Sequence, residues 1–168
     1  MFAGGYAGSL PGIANAEVWN GSTWTEVSDL NDDRWKLAGA GTSSESGLVV
    51  GGYSGPVTNT ANTEKWDGSS WTETGDLNQV RYDWQGGGGE TSGGIVFGGY
   101  SGTAIVANTE FFNGSSWTEL NDLSESVYGN TGMGSAVAAL NVGGNAPPHT
   151  SAVEEWTAPA TVNTVTTS

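Results

Sequence analysis

Short apolar runs alternate with glycine-bounded polar stretches along the chain on a fixed period. The runs in GLVVGGY (47–53), GGIVFGGY (93–100) and AALNVGG (138–144) end in a diglycine, the pattern of a buried strand entering a tight turn. The stretches AEVWNGSTWTE (16–26), TEKWDGSSWTE (63–73) and TEFFNGSSWTE (109–119) each set Asn-Gly or Asp-Gly between two aromatic-bearing segments. Such a dipeptide predicts a hairpin closed by a type I′ turn, which needs positive φ at both central residues. Glu17 and Trp19 alternate with Val18, and the counterparts of Val18 are Lys65, Phe111 and Glu155. Period-two alternation therefore turns the Glu/aromatic set inward and these varying positions toward solvent. A fourth strand is predicted to start near Arg34 and Arg81 and to run through RWKLAGAGT and RYDWQGGGG. No stretch sustains a 3.6-residue period, so almost no helix is predicted.

The landmarks form an internal repeat. Diglycines fall at Gly4-Gly5, Gly51-Gly52, Gly98-Gly99 and Gly143-Gly144, at spacings of 47, 47 and 45. Glu17, Glu64, Glu110 and Glu154 keep nearly the same step, and Trp19, Trp66, Phe112 and Trp156 lie two residues after each. Trp24, Trp71 and Trp117 follow in three units, then Leu30, Leu77 and Leu123, then Arg34, Arg81 and, in the third slot, Val127. The units are 1–33, 34–80, 81–126 and 127–157, with a Thr/Val-rich tail at 158–168. Four short antiparallel strands per unit of about 40 to 50 residues is the signature of a propeller blade, which is too small to bury its own faces and must stack on its neighbours. The repeated aromatics Trp19, Trp24, Trp66, Trp71, Phe112, Trp117 and Trp156 are the expected inter-blade core.

Composition narrows the function. Four basic against 18 acidic residues give a formal charge of −14. Four cations cannot line a phosphate-binding groove, which argues against nucleic acid and anionic membranes as partners. The chain has no Cys and one His, His149, so thiol and triad chemistry and most metal sites are closed off. Neither a membrane span nor, from MFAGGYAGSL, a secretory signal is expected. His149, after Pro147-Pro148, reads as a loop residue, and Gly86 to Gly89 lacks the Lys-Ser/Thr of a phosphate loop. Asn20 and Asn113 match the glycosylation sequon but are better explained as hairpin turns.

The diglycine after an apolar run, the Glu-x-aromatic pair a dozen residues on, the Trp five residues beyond, and the Leu followed by Arg resemble the kelch repeats of galactose-oxidase-like β-propellers. The resemblance covers nearly the whole chain and implies an all-β, kelch-like propeller of about three and a half four-stranded blades. Residues 1–30 read as the last three strands of a blade without its inner strand, and 127–157 as the first three strands of another. The tail 158–168 is a candidate closing strand; a second copy, another chain or a longer gene product are the other ways to complete the ring. Copper-oxidase chemistry is excluded because no Cys can cross-link a Tyr. The texture GGYSG, NTE and NGSSWTE is similar to kelch-like proteins of bacteriophage virions.

Two aromatic rows are candidate contact residues for a glycan or a protein partner: Tyr6, Tyr53 and Tyr100 after the diglycines, and Trp35, Tyr82 and Tyr128 after the Arg slot. Packing at strand ends is the competing role for both. Arg34 and Arg81, with Glu17, Glu64 and Glu110, suggest inter-blade ion pairs. Their repetition speaks for a scaffold and against an enzyme, and no cofactor or metal is expected. Asp32-Asp33 with Asp29 lacks the spacing of a calcium loop and reads as a solvated acidic loop. The expected role is a non-enzymatic virion component, structural or host-recognising and oligomeric, at the virion surface. The alternative is a free, extracellular, lectin-like propeller with a sugar site on each blade.

Overall fold

The computed structural model describes residues 1–8, 12–55, 58–83 and 86–158. In chain order the first unit forms β1 (Phe2–Gly5), β2 (Ile13–Trp19) and β3 (Trp24–Val27). The second forms β4 (Arg34–Trp35), β5 (Ala38–Ser43), β6 (Ser46–Val50), β7 (Tyr53–Ser54), β8 (Thr58–Asn59), β9 (Thr63–Trp66) and β10 (Trp71–Thr74). The third forms β11 (Gly86–Glu90), β12 (Gly93–Phe97), β13 (Thr109–Phe112) and β14 (Trp117–Glu119), and the fourth β15 (Thr131–Ser135), β16 (Ala138–Asn145) and β17 (His149–Thr157). The protein is all-β, with no helix among the described residues.

Two sheets have four antiparallel strands, in the orders β5-β6-β9-β10 and β11-β12-β13-β14. The last has three, β15-β16-β17, and the first has β1-β2-β3, extended through the pairing of Ile13 with Arg34 by the small strands β4, β7 and β8. The tail proposed to close the fold lies, from 159 on, outside the described residues.

The apolar runs are continuous because the middle sheets are covered on both faces. Val49 packs with Ala16 and Leu30 of the first sheet, whereas Leu48 and Val50, on the opposite face of β6, pack with Val96, Phe112 and Trp117 of the third. Likewise Val96 turns back to the second sheet while Ile95 and Phe97 meet Ala139 of the fourth. Strands buried on both sides read as unbroken hydrophobic runs for this reason.

The diglycines take left-handed φ in all four units, for example 61° and 95° at Gly51 and Gly52. A Cβ on Gly52 would stand 2.7 Å from the carbonyl oxygen of Trp35, and one on Gly144 2.9 Å from that of Tyr128. The pair is thus the place where a connecting segment crosses a strand end, and only glycine satisfies both demands.

Several expectations are corrected by the backbone. The hairpins exist, but Trp19 pairs with Trp24 across four intervening residues, with positive φ at Gly21 and not at Asn20. The Asn20 side-chain oxygen accepts the backbone N–H of Ser22 at 2.9 Å and of Thr23 at 3.0 Å, and Asp67 and Asn113 repeat the arrangement. The turn is an Asx turn built by the Ser and Thr donors, so the type I′ expectation fails. Arg34 does not open the inner strand but sits in β4, four residues ahead of β5. Lys65 and Phe111 are half-buried rather than solvent-facing, and Lys65 reaches the Gly114 carbonyl of the next sheet at 3.5 Å. His149 is the first residue of β17, paired with Asn145, and not a loop residue.

Candidate functional site: an aromatic column and the layer beneath it

The two aromatic rows form one column. Ring centroids lie 5.3 Å apart for Tyr6 and Trp35, 4.9 Å for Trp35 and Tyr53, 4.1 Å for Tyr53 and Tyr82, and 5.4 Å for Tyr82 and Tyr100. Backbone pairing causes the interleaving. Trp35 in β4 lies opposite Tyr53 in β7, and an isolated bridge joins Tyr82 to Tyr100. Tyr128 pairs in the same way with Asn145, which stands where the other units carry the post-diglycine tyrosine. Its amide donates to the Tyr128 hydroxyl at 2.7 Å. Among the described residues the column therefore runs from Tyr6 to Tyr100. Tyr6 is exposed at one end, Trp35, Tyr53 and Tyr100 are half-buried, and Tyr82 is buried. Burial, with a hydrogen bond to Tyr53, holds the Tyr82 hydroxyl well above its ordinary pKa.

Beside the column the residue after each connecting aromatic adopts left-handed φ: 54° at Lys36, 77° at Asp83 and 63° at Gly129. Asp83 N–H donates to the Lys36 carbonyl at 3.1 Å, and Gly129 N–H to the Asp83 carbonyl at 3.0 Å. The Lys36 ammonium lies 2.8 Å from the Asp83 carboxylate and over the rings of Trp35 and Tyr82, at 5.3 and 5.8 Å from their centroids. Two non-glycine residues are held in a costly conformation by this chain of bonds. Sequence reasoning missed Lys36 and Asp83, although both follow the repeated aromatic.

Below the column, the repeated carboxylates are occupied. Glu64 forms a buried pair with Arg34 and accepts the backbone and side-chain N–H of Asn31 at 2.8 and 2.7 Å. Glu110 repeats this with Arg81 and Asn78, at 2.8 and 2.7 Å for the asparagine. Arg34 lies in a strand attached to the first sheet and Glu64 in the second, so this pair does bridge sheets. In the fourth unit Val127 replaces the Arg, and Glu154 keeps only the turn contact, from Ser124 N–H at 2.8 Å. No bond to the Glu17 carboxylate is made by a connecting segment among the described residues. Desolvation lowers the Arg81 pKa, opposed by the Glu110 charge, and a guanidinium remains cationic at neutral pH. Asn31 and Asn78 were not singled out from sequence, though Asp-Leu-Asn recurs at 29–31 and 76–78.

Of the expected aromatic core, Trp66, Trp71, Phe112 and Trp117 are buried and Trp156 is half-buried against Ile95 and Phe97. The indole N–H of Trp71 reaches back to the Ser28 carbonyl at 3.1 Å, and that of Trp117 to the Thr63 hydroxyl at 2.9 Å. Each thus bonds to the preceding sheet. Trp19 and Trp24 are not core: they lie tilted against each other at 5.5 Å but stay 45% and 52% exposed. Among the described residues no sheet lies in front of the first one to cover them.

Two cavities lie in the first and last junctions between sheets. One of about 530 Å³ opens between β1 and the β5–β6 hairpin, lined by Met1, Phe2, Ser43, Leu48 and Trp71. The other, about 630 Å³, lies beside β17 among Leu120, Asp122, Asn141, Glu154 and Trp156. No group of three or more His, Asp or Glu among the described residues is placed to hold a metal ion, Asp32 and Asp33 included. No family model and no curated protein matches the chain.

Proposed function

We propose that the chain is a non-enzymatic, kelch-like β-propeller segment of about three and a half blades, acting as a structural or host-recognition component of a bacteriophage virion. The observation that carries the non-enzymatic, scaffolding part is the use made of the repeated polar groups. Glu64, Glu110, Arg34 and Arg81 are buried and bonded to connecting segments, so the side chains with acid–base capacity hold successive sheets together. The Tyr82 hydroxyl is held above its ordinary pKa and stays neutral at physiological pH. The virion setting is supported by the Gly, Ser, Thr and Asn texture and by the formal charge of −14, a surface that repels packaged nucleic acid.

The aromatic column favours one extended contact edge over a separate sugar site on each blade. Trp35 stacks on Tyr53, and Tyr82 lies tilted against Tyr53 at 4.1 Å, whereas a sugar needs a free face. Tyr6, exposed at the column's end, has the most accessible ring. Mass spectrometry of purified virions tests the assignment. The chain is expected among the particle proteins, and particles that lack it would overturn the virion reading.

A further inference from the structure

The three internal junctions show what covers each kind of sheet face. The leading face of a sheet carries the aromatic pair and the repeated Glu, and it packs on the trailing face of the sheet before it. Trp66 and Trp71 lie on Ala16 and Leu30, Phe112 and Trp117 on Leu48, Val50 and Leu77, and Trp156 against Ile95, Phe97 and Leu123. The first sheet has a leading face that no other sheet covers among the described residues, made of Phe2, Trp19 and Trp24, with Phe2 placed by its pairing with Glu17 and 46% exposed.

Among the described residues, no sheet covers the trailing face of the fourth sheet. Leu140 and Val142 stand in β16 where Leu48 and Val50 stand in β6, counted from the diglycine. Their cross-strand partners Met133 and Val153 share that face and are 49% and 58% exposed. An aromatic leading face and a trailing face of Leu140, Val142, Met133 and Val153, with Glu155 and Thr131 beside them, are thus left open at opposite ends of one stack, and their apolar residues match the two halves of junctions that the fold already builds. Large apolar patches of this kind mark association surfaces.

We propose that these two faces bind each other between molecules: the trailing face of the fourth sheet of one copy covers the leading face of the first sheet of another. The contact is heterologous, joining unlike patches head to tail, so it forms a closed ring or an open chain and never a face-to-face dimer. The partner is a second copy of this chain, because its fourth sheet carries Leu140 and Val142 at the positions where Leu48 and Val50 meet Phe112 and Trp117. The inference rests on the propeller reading above but not on its virion setting.

Light-scattering mass across a concentration series, with two variants, tests it. Trp24→Glu blocks the leading face, and Met133→Glu with Val153→Glu blocks the trailing face. All three positions are exposed, so each variant should keep the wild-type circular dichroism spectrum. Wild type is expected at a multiple of 17.2 kDa, and each variant alone at 17.2 kDa. An equimolar mixture should give a two-chain species and nothing larger, because it holds one intact face of each kind. A wild-type chain that stays single up to about 100 μM overturns the proposal, since that range covers even weak specific association. Association that survives in both variants alone, or a mixture that forms no complex, overturns it too. A virion preparation without the chain would remove the virion reading and leave this interface standing, and a single-chain mass would do the reverse.

Discussion

Breaking the Arg81–Glu110 pair one partner at a time shows what the repeated ion pairs contribute. Both side chains are essentially inaccessible, and Glu110 also accepts two bonds from Asn78 while Arg81 donates to the carbonyls of Gly98 and Asn108. Glu110→Gln preserves size and an acceptor for Asn78 but leaves a buried guanidinium without its counter-charge, which costs about 3–5 kcal/mol. Arg81→Met strands the carboxylate and costs about as much, although the Asn108 carbonyl still accepts the Gly98 N–H at 3.1 Å. Arg81→Met with Glu110→Leu removes both charges and leaves the Asn78 backbone N–H and the Gly98 carbonyl without these partners, a loss of about 1–3 kcal/mol for each. The double variant should therefore be more stable than the sum of the singles by several kcal/mol, a strong coupling in a double-mutant cycle. Urea midpoints at pH 7 with an unchanged m value read the effect. The fourth unit is the internal control: Glu154 has no Arg partner and is half-exposed, so Glu154→Gln should cost about 1 kcal/mol or less. Additive single losses at Arg81 and Glu110, or a Glu110→Gln loss below about 1 kcal/mol, would refute the reasoning.

The same burial logic separates two tryptophans of like sequence. Trp71→Ala should cost about 3–5 kcal/mol, whereas Trp24→Ala, at an exposed site, should shift stability by about 0.5 kcal/mol or less when melted at dilutions where the chain is single. Gly55→Ala pays only for a left-handed φ of 60° with open space around it, about 1–2 kcal/mol. Gly52→Ala should lose measurably more in the same denaturation assay, because its Cβ would also meet the Trp35 carbonyl. The Asp67 carboxylate is held at a pKa of about 2 by the backbone N–H groups of Ser70 and Ser69. A depressed carboxylate pKa contributes stability that is present above its ordinary value of 3.8 and is lost as pH falls toward 2. Asp67→Asn, which copies the turns at Asn20 and Asn113, should flatten that part of the pH–stability profile. An unchanged acid limb would count against the turn geometry.

The period, the strands and the sites of the ion pairs were legible because each depends on local residue chemistry. A diglycine is needed where left-handed φ coincides with a crossing segment, and a recurring Arg opposite a recurring Glu in a nearly uncharged interior admits few roles. The turn type was misread because Asn-Gly suits a type I′ turn, while the Ser and Thr that follow offer two backbone donors and so decide for an Asx turn. The aromatic column was half legible. Both rows were visible as rows, but their interleaving depends on the pairing of Trp35 with Tyr53, two small strands separated by the whole β5–β6 hairpin. Lys36 and Asp83 carry no local mark of a left-handed conformation. Their φ is imposed by bonds from one connecting segment to the next, which a single unit of sequence does not contain.

Trp19–Trp24 and Trp66–Trp71 show why repeat equivalence cannot by itself assign a core. The two pairs stand in equivalent hairpins and meet at nearly the same distance, 5.5 and 5.3 Å, yet one is exposed and the other buried. Intrinsic hydrophobicity and local geometry are equal in the two cases, so the difference lies in the sheet in front. Burial in this fold is a property of a junction between unlike faces, one bearing the aromatic pair and the carboxylate, the other mainly aliphatic with Phe97 in the third sheet. Among the described residues, four stacked sheets make three such junctions and leave one face of each kind over. Stability stored in Trp66 and Trp71 belongs to the single chain, whereas that available from Trp19 and Trp24 depends on what meets the first sheet from outside. The large-to-small penalty at Trp24 should accordingly grow with protein concentration while that at Trp71 stays constant, because mass action stabilises only the residues an association buries.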